Sequence, residues 1–216
     1  MAKKETTVRL YATEMRALSE EGEAIIEGTP IVFDEWTHIG SDEYGFDEVI
    51  RPSALVNADI SDVVLTIEHD GRKIPLARTK KGRGTMTLTN TGKGLDMRAK
   101  LDVENNSEAR ALYSAISRGD MDAMSFVFTV AEGGDTWSWD SDSNMYKREV
   151  TAIAQLYDVS VVTRPAYDGT SVKLSRSEEG ALTEARARAE RLAEVEALRA
   201  KNREAAGING DKSNEH

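Results

Sequence analysis

Three residues far apart in the chain, His69, Ser125 and Asp158, are of the types that together turn a hydroxyl into a nucleophile toward an amide. A serine needs a base within hydrogen-bond reach of its Oγ, and that base needs a third group to orient it and balance its charge. The chain has three histidines, His38, His69 and His216. His38 falls in a polar stretch and His216 is the last residue, whereas His69 closes the run Asp-Val-Val-Leu-Thr-Ile-Glu-His-Asp. Asp158 interrupts the apolar run Leu-Tyr-Asp-Val-Ser-Val-Val, where a carboxylate must find a partner because burying it alone is costly. Each residue also admits a plainer role. His69, between Glu68 and Asp70, could be a surface histidine, Asp158 could serve a backbone amide or Arg148, and Ser125 could bond to a neighbouring strand.

The elements that would have to position these groups are short strands. In residues 118–130 a helix closes near Gly119 and an aromatic, β-branched strand starts near Met124, with Ser125 facing opposite to Met124 and Phe126. Residues 62–70 predict a buried strand that delivers His69 to a rim. Thr7–Ala12 alternates, with Val8, Leu10 and Ala12 on one side and Arg9 and Tyr11 on the other. Residues 24–26 and 31–33 predict two strands around a turn at Gly28-Thr29-Pro30, and residues 36–45 predict a loop. An extended piece from Phe46 stops at Pro52, with a helical turn over residues 53–57. Residues 85–89 and 95–101 form the clearest hairpin, Ser107 is expected to cap a helix running to Gly119, and Trp137 and Trp139 sit in a hairpin arm. Strands follow over residues 148–153 and 156–163, the last ended by Pro165. Seven or more strands with one or two helices predict an α+β fold built on a mainly antiparallel β-barrel flanked by helices.

Composition narrows the chemistry. The 216 residues contain no cysteine, which excludes a disulfide framework, thiol catalysis and cysteine-bound zinc, and so few histidines argue against a metal site. No metal or cofactor is expected. Nearly all of the formal charge of −10 lies on residues 1–174, which argues against nucleic acid as a partner and for proteins. No apolar run is long enough for a membrane span, and the N-terminus lacks the apolar centre of a signal peptide, so a cytoplasmic location is expected. From Ser175 the character changes. Leu182, Ala185, Ala189, Leu192, Val195 and Leu198 recur at spacings of three and four among Ala, Glu and Arg, predicting a solvated amphipathic helix to about Gly207 and a disordered end. The expected division is 1–174 and 175–216.

Taken in order, Phe46-x-Glu48-x-Ile50-x-Pro52, residues 63–65 followed by His69-Asp70, Pro75-Leu-Ala-Arg-Thr79, Gly94-Leu95, Gly119-x-Met121-x-x-Met124-Ser125-Phe126, Trp137, Arg148 and Leu156-x-Asp158-Val-Ser-Val-Val-Thr-x-Pro165-Ala-Tyr167 strongly resemble the prohead maturation proteases of tailed bacteriophages. The resemblance spans about residues 8–174. It implies an assemblin-like barrel, since these enzymes are relatives of the herpesvirus assemblins, and a serine endopeptidase. Its expected substrates are the scaffold or the scaffolding segment of the major capsid protein, and itself, inside the assembling prohead in the host cytoplasm. Carried over, the resemblance makes Ser125 the nucleophile, His69 the general base and Asp158 the third member, with Arg164 or backbone amides as oxyanion stabiliser. It implies a homodimer, because assemblins work as dimers. The alternative is a catalytically silent assembly protein on the same barrel; a serine esterase is a third option. Departures from the family pattern include Val127 where Gly is usual, Glu68 where Asn is frequent, and Ala77 in place of the Gly before Arg78.

Overall fold

The computed structural model describes residues 6–12, 15–40, 45–163 and 176–205. Thirteen strands among these residues form three sheets. The first sheet carries β1 (Thr7–Ala12), β6 (Val64–Ile67), β7 (Ala77–Arg78), β10 (Ala123–Val130) and β13 (Ile153–Val162), in the order β1-β10-β13-β6-β7. The second is built from β2 (Arg16–Glu20), β3 (Glu23–Val32), β8 (Met86–Asn90) and β9 (Gly94–Leu101), in the order β2-β3-β9-β8. The third has β4 (Thr37–Ile39), β5 (Phe46–Ile50), β11 (Asp135–Asp140) and β12 (Met145–Val150), in the order β11-β12-β5-β4.

The fold is mostly β with few helices, as an α+β reading requires. The expected closed barrel is not formed among the described residues: the strands end in three separate sheets, each with its own edges. Two pairings are parallel, β13 with β6 and β12 with β5, so the first and third sheets are mixed, while the second is purely antiparallel. The expected hairpins β8–β9 and β11–β12 are both present.

The core explains why the first sheet faces the second. Met124, Phe126 and Phe128 of β10, Val159 and Val161 of β13 and Leu65 of β6 alternate onto one face and meet Ile26, Ile31, Leu95 and Met97 of β3 and β9. Residues at the intervening positions, among them Ser125, Asp158, Ser160 and Thr66, therefore share the opposite face. A helix, α1 (Ser107–Arg118), packs on β2, β3 and β9 through Ala109, Leu112 and Ile116.

Several local expectations need correction. The cap of α1 is Asn106, one residue before Ser107; its side chain accepts from the amides of Glu108 and Ala109, leaving Ser107 as the first helical residue. Gly119 closes the helix in the left-handed region at φ 74°, as its type suggested. Gly28-Thr29-Pro30 is no turn. It forms an irregularity within the single strand β3, where the register with β9 jumps between Gly28 and Ile31, so a proline that interrupts pairing is absorbed as a bulge. The segment read as a loop contains β4, whose three residues pair with β5. The helical turn after Pro52 spans Pro52–Leu55.

The chain divides into two compact units, Met1–Ser175 and Arg176–His216. The second contains α2 (Arg176–Ala205), along which Val195 and Leu198 are exposed. The disordered end expected after Gly207 lies outside the described residues. No described helix is long and apolar enough to cross a membrane.

Candidate active site

Three adjacent strands of the first sheet carry the three chemical groups. Ser125 lies on β10, Asp158 on β13 beside it, and His69 just past the end of β6, the next neighbour. Register brings them level: Ser125 pairs with Ser160, Val127 with Asp158, and Ser160 with Thr66 across the parallel ladder. The strand expected over residues 62–70 occupies only Val64–Ile67. Beyond Ile67 the backbone turns through two consecutive left-handed residues, Glu68 at φ 52° and His69 at φ 54°.

That turn is unusual for residues with side chains, and four hydrogen bonds hold it. The Glu68 amide donates to the Val161 carbonyl at 3.1 Å, the Asp70 amide to the Ile67 carbonyl at 3.1 Å, and the His69 amide to Ser160 Oγ at 3.1 Å. The Glu68 carboxylate accepts the Thr163 amide at 2.7 Å, tying the turn to the end of β13. The hydrogen bond to the Arg72 guanidinium lowers the Asp70 carboxyl below its ordinary value.

The turn aims the imidazole back over the sheet. His69 Nδ1 lies 2.5 Å from Asp158 Oδ1, and Nε2 makes a short hydrogen bond with Ser125 Oγ. The side chains of His69 and Asp158 are 21% and 14% exposed, while Ser125 is buried. Asp158 Oδ2 accepts from Thr66 Oγ1 at 2.6 Å, and its Oδ1 accepts from Ser160 Oγ at 3.0 Å. Hydroxyl, imidazole and carboxylate thus stand in line, each within hydrogen-bond reach of the next, which is the arrangement a serine nucleophile requires.

The Ser125 hydroxyl has a second acceptor, the Arg9 carbonyl of edge strand β1, at 2.7 Å. One proton cannot serve both. When it points at Arg9, Nε2 is without the serine proton; when it turns to Nε2, the serine is set for attack. The Arg9 side chain, read from alternation as lying on the polar side, is instead almost wholly buried. It donates to both oxygens of buried Glu48, at 2.5 and 2.8 Å, and Glu48 also accepts from Arg148 at 2.9 Å. Arg148 reaches Asp135 as well, so it is engaged in this charge cluster. Val127, which stands where the resembled family has glycine, pairs with Asp158, and the β10–β13 ladder slips immediately beyond it.

Of the other expected residues, His38 bonds to Asp47 Oδ1 at 3.1 Å on the third sheet, and Arg164 lies outside the described residues. The groups that sequence reasoning missed are Thr66 and Ser160. Ser160 sits two residues from Asp158 and Thr66 three from His69, and strand alternation alone would have put Ser160 on the same face as Asp158.

A family model described as caudovirus prohead serine protease matches residues 11–184, which is most of the chain. The chain belongs to this family. No curated protein and no solved structure matches it. The prohead serine protease family is one of serine peptidases that act in phage capsid maturation, and the matched span takes in β6, β10 and β13 together with His69, Ser125 and Asp158.

Proposed function

We propose that the chain is a serine endopeptidase of phage capsid maturation in which Ser125 is the nucleophile, His69 the general base and Asp158 the group that orients and charge-balances the imidazole. The observation that carries this reading is the line of hydrogen bonds from Ser125 Oγ through the His69 ring to Asp158, in a chain of the prohead protease family. In the first half-reaction Oγ bonds to the scissile carbonyl carbon as its proton passes to His69 Nε2. The imidazolium, stabilised by Asp158, then gives that proton to the leaving amine as the C–N bond breaks. Water repeats the sequence on the acyl-enzyme, delivering its proton through Nε2 back to Ser125. Arg164 or backbone amides stabilise the oxyanion.

The substrates are the scaffold or the scaffolding segment of the major capsid protein, and the protease itself, inside the assembling prohead in the host cytoplasm. The enzyme works as a homodimer, with residues 1–174 as the protease domain and 175–216 as a tail that carries it into the shell or is trimmed. The test is co-expression with the capsid and scaffold proteins. Wild type trims itself and its substrates at discrete sites; Ser125→Ala leaves all of them full length. Cleavage that persists in Ser125→Ala refutes the assignment, and a wild type that cleaves nothing favours a silent assembly role.

A further inference from the structure

The face of the first sheet that carries the candidate triad holds a row of hydroxyls across three strands. Ser125 on β10, Ser160 on β13 and Thr66 on β6 are aligned by register, and all three are buried. Two of these hydroxyls do not touch the scissile chemistry. We propose that Thr66 and Ser160 are positioning residues, which lock the Asp158 carboxylate and the left-handed backbone of His69 so that the imidazole meets Ser125. This rests on the triad reading given above.

Counting protons shows what the pair does. Thr66 donates its single hydroxyl proton to Asp158 Oδ2 at 2.6 Å, and Ser160 donates its own to Oδ1 at 3.0 Å. When both protons are on Asp158 the carboxylate is bonded on both oxygens and held against turning about its own axis; when one of them instead bridges Thr66 and Ser160, the other hydroxyl and His69 still hold it. It remains an acceptor only, so His69 Nδ1 must be the donor in the third bond, and Nε2 is left to accept the serine proton. Ser160 then has lone pairs free, and one of them accepts the His69 amide at 3.1 Å. Thr66 and Ser160 are also hydrogen-bonded to each other, so their two protons are shared over three contacts. Ser160 therefore fixes the histidine twice, through its main chain directly and through its ring by way of Asp158. An amide just past a strand end would ordinarily bond to the ladder or to water. Here a side chain of the neighbouring strand takes it, at a residue whose φ of 54° needs outside support.

If the hydroxyls merely filled buried polar space, their loss would cost stability alone. A fluorophosphonate probe separates the two roles on the full chain, because its maximal labelling rate reports how well Ser125 is activated and its half-saturating concentration reports probe binding. Thr66→Val, nearly isosteric and without the hydroxyl, and Ser160→Ala are expected to lower the maximal rate about ten- to hundred-fold with half-saturation unchanged. Thr66→Ser, which keeps the hydroxyl and drops the methyl, is expected to label at close to the wild-type rate. Wild-type rates in both Thr66→Val and Ser160→Ala overturn the proposal, as does a Thr66→Ser variant as slow as Thr66→Val. If Ser160→Ala fails to fold in a thermal melt, the two Thr66 variants decide alone. Labelling of the wild type that does not depend on Ser125, judged against Ser125→Ala, is a different result: it refutes the triad itself.

Discussion

Replacing Asp158 by asparagine isolates the charge of the third group from its shape. The amide can present its oxygen to His69 Nδ1 and Ser160, and its NH2 group to Thr66, whose hydroxyl then turns to accept and passes its proton toward Ser160. The fold should tolerate the change. What disappears is the attraction between a carboxylate and the imidazolium formed as Ser125 attacks. With Nδ1 and Oδ1 at 2.5 Å, the two charge centres lie about 4 Å apart, and at an effective dielectric near 20 this attraction is worth about 4 kcal/mol. Both side chains are under a quarter exposed, so solvent screens the pair only in part. About 4 kcal/mol corresponds to roughly a thousand-fold in rate. The expected outcome is therefore a folded Asp158→Asn chain whose maximal fluorophosphonate labelling rate, and whose trimming of co-expressed capsid protein, fall by about three orders of magnitude. A loss smaller than about tenfold, with Ser125→Ala inert in the same assays, would show that the carboxylate charge does not serve the reaction.

Two further outcomes follow from charges outside the triad. Glu48 is fully buried between Arg9 and Arg148, so Glu48→Ala should lower stability by about 3–5 kcal/mol in urea unfolding, because two guanidinium groups lose a buried counter-charge; a change within error would mean the cluster is dispensable. In the β11–β12 hairpin, Lys147, Ser143 and the Asp142 amide together hold the Asp140 carboxyl down at about 2, below its ordinary 3.8. Its contribution to hairpin stability is thus complete above the ordinary carboxylate range and is lost as pH falls through about 2, and a carboxyl NMR titration with a midpoint near 3.8 would remove it.

Strand content was legible where period two was clean. Residues 95–101 alternate apolar and charged, and β9 occupies that stretch; Trp137 and Trp139 likewise announced β11. Gly28-Thr29-Pro30 misled because proline and glycine punctuate turns far more often than they make bulges, and only pairing with β9, residues distant in the chain, holds β3 continuous across them. Closure is a property of how sheets meet, and no local pattern reveals it, so three open sheets were indistinguishable from a barrel. Within the site, residue types and strand ends pointed to His69, Ser125 and Asp158 because an acid in an apolar run and a histidine at its edge are chemically conspicuous. Thr66 and Ser160 were not, since hydroxyls in strands are ordinary until register places them around a carboxylate. Arg9 was read on the polar side because a single arginine in an alternating strand carries no sign of the glutamate waiting for it 39 positions later.

The two left-handed residues at the end of β6 make the direction of the imidazole a matter of main-chain geometry. A side-chain rotation alone would carry the ring off its neighbours only by abandoning bonds at both nitrogens, whereas unwinding the turn would undo them together with the tether from Glu68 to the Thr163 amide. Asparagine, which tolerates that backbone region better than glutamate, would ease the bend but is too short to reach across to the adjoining strand's exit. In this chain the less comfortable residue at position 68 doubles as a strap, so loosening the bend and untying the strap are the same event.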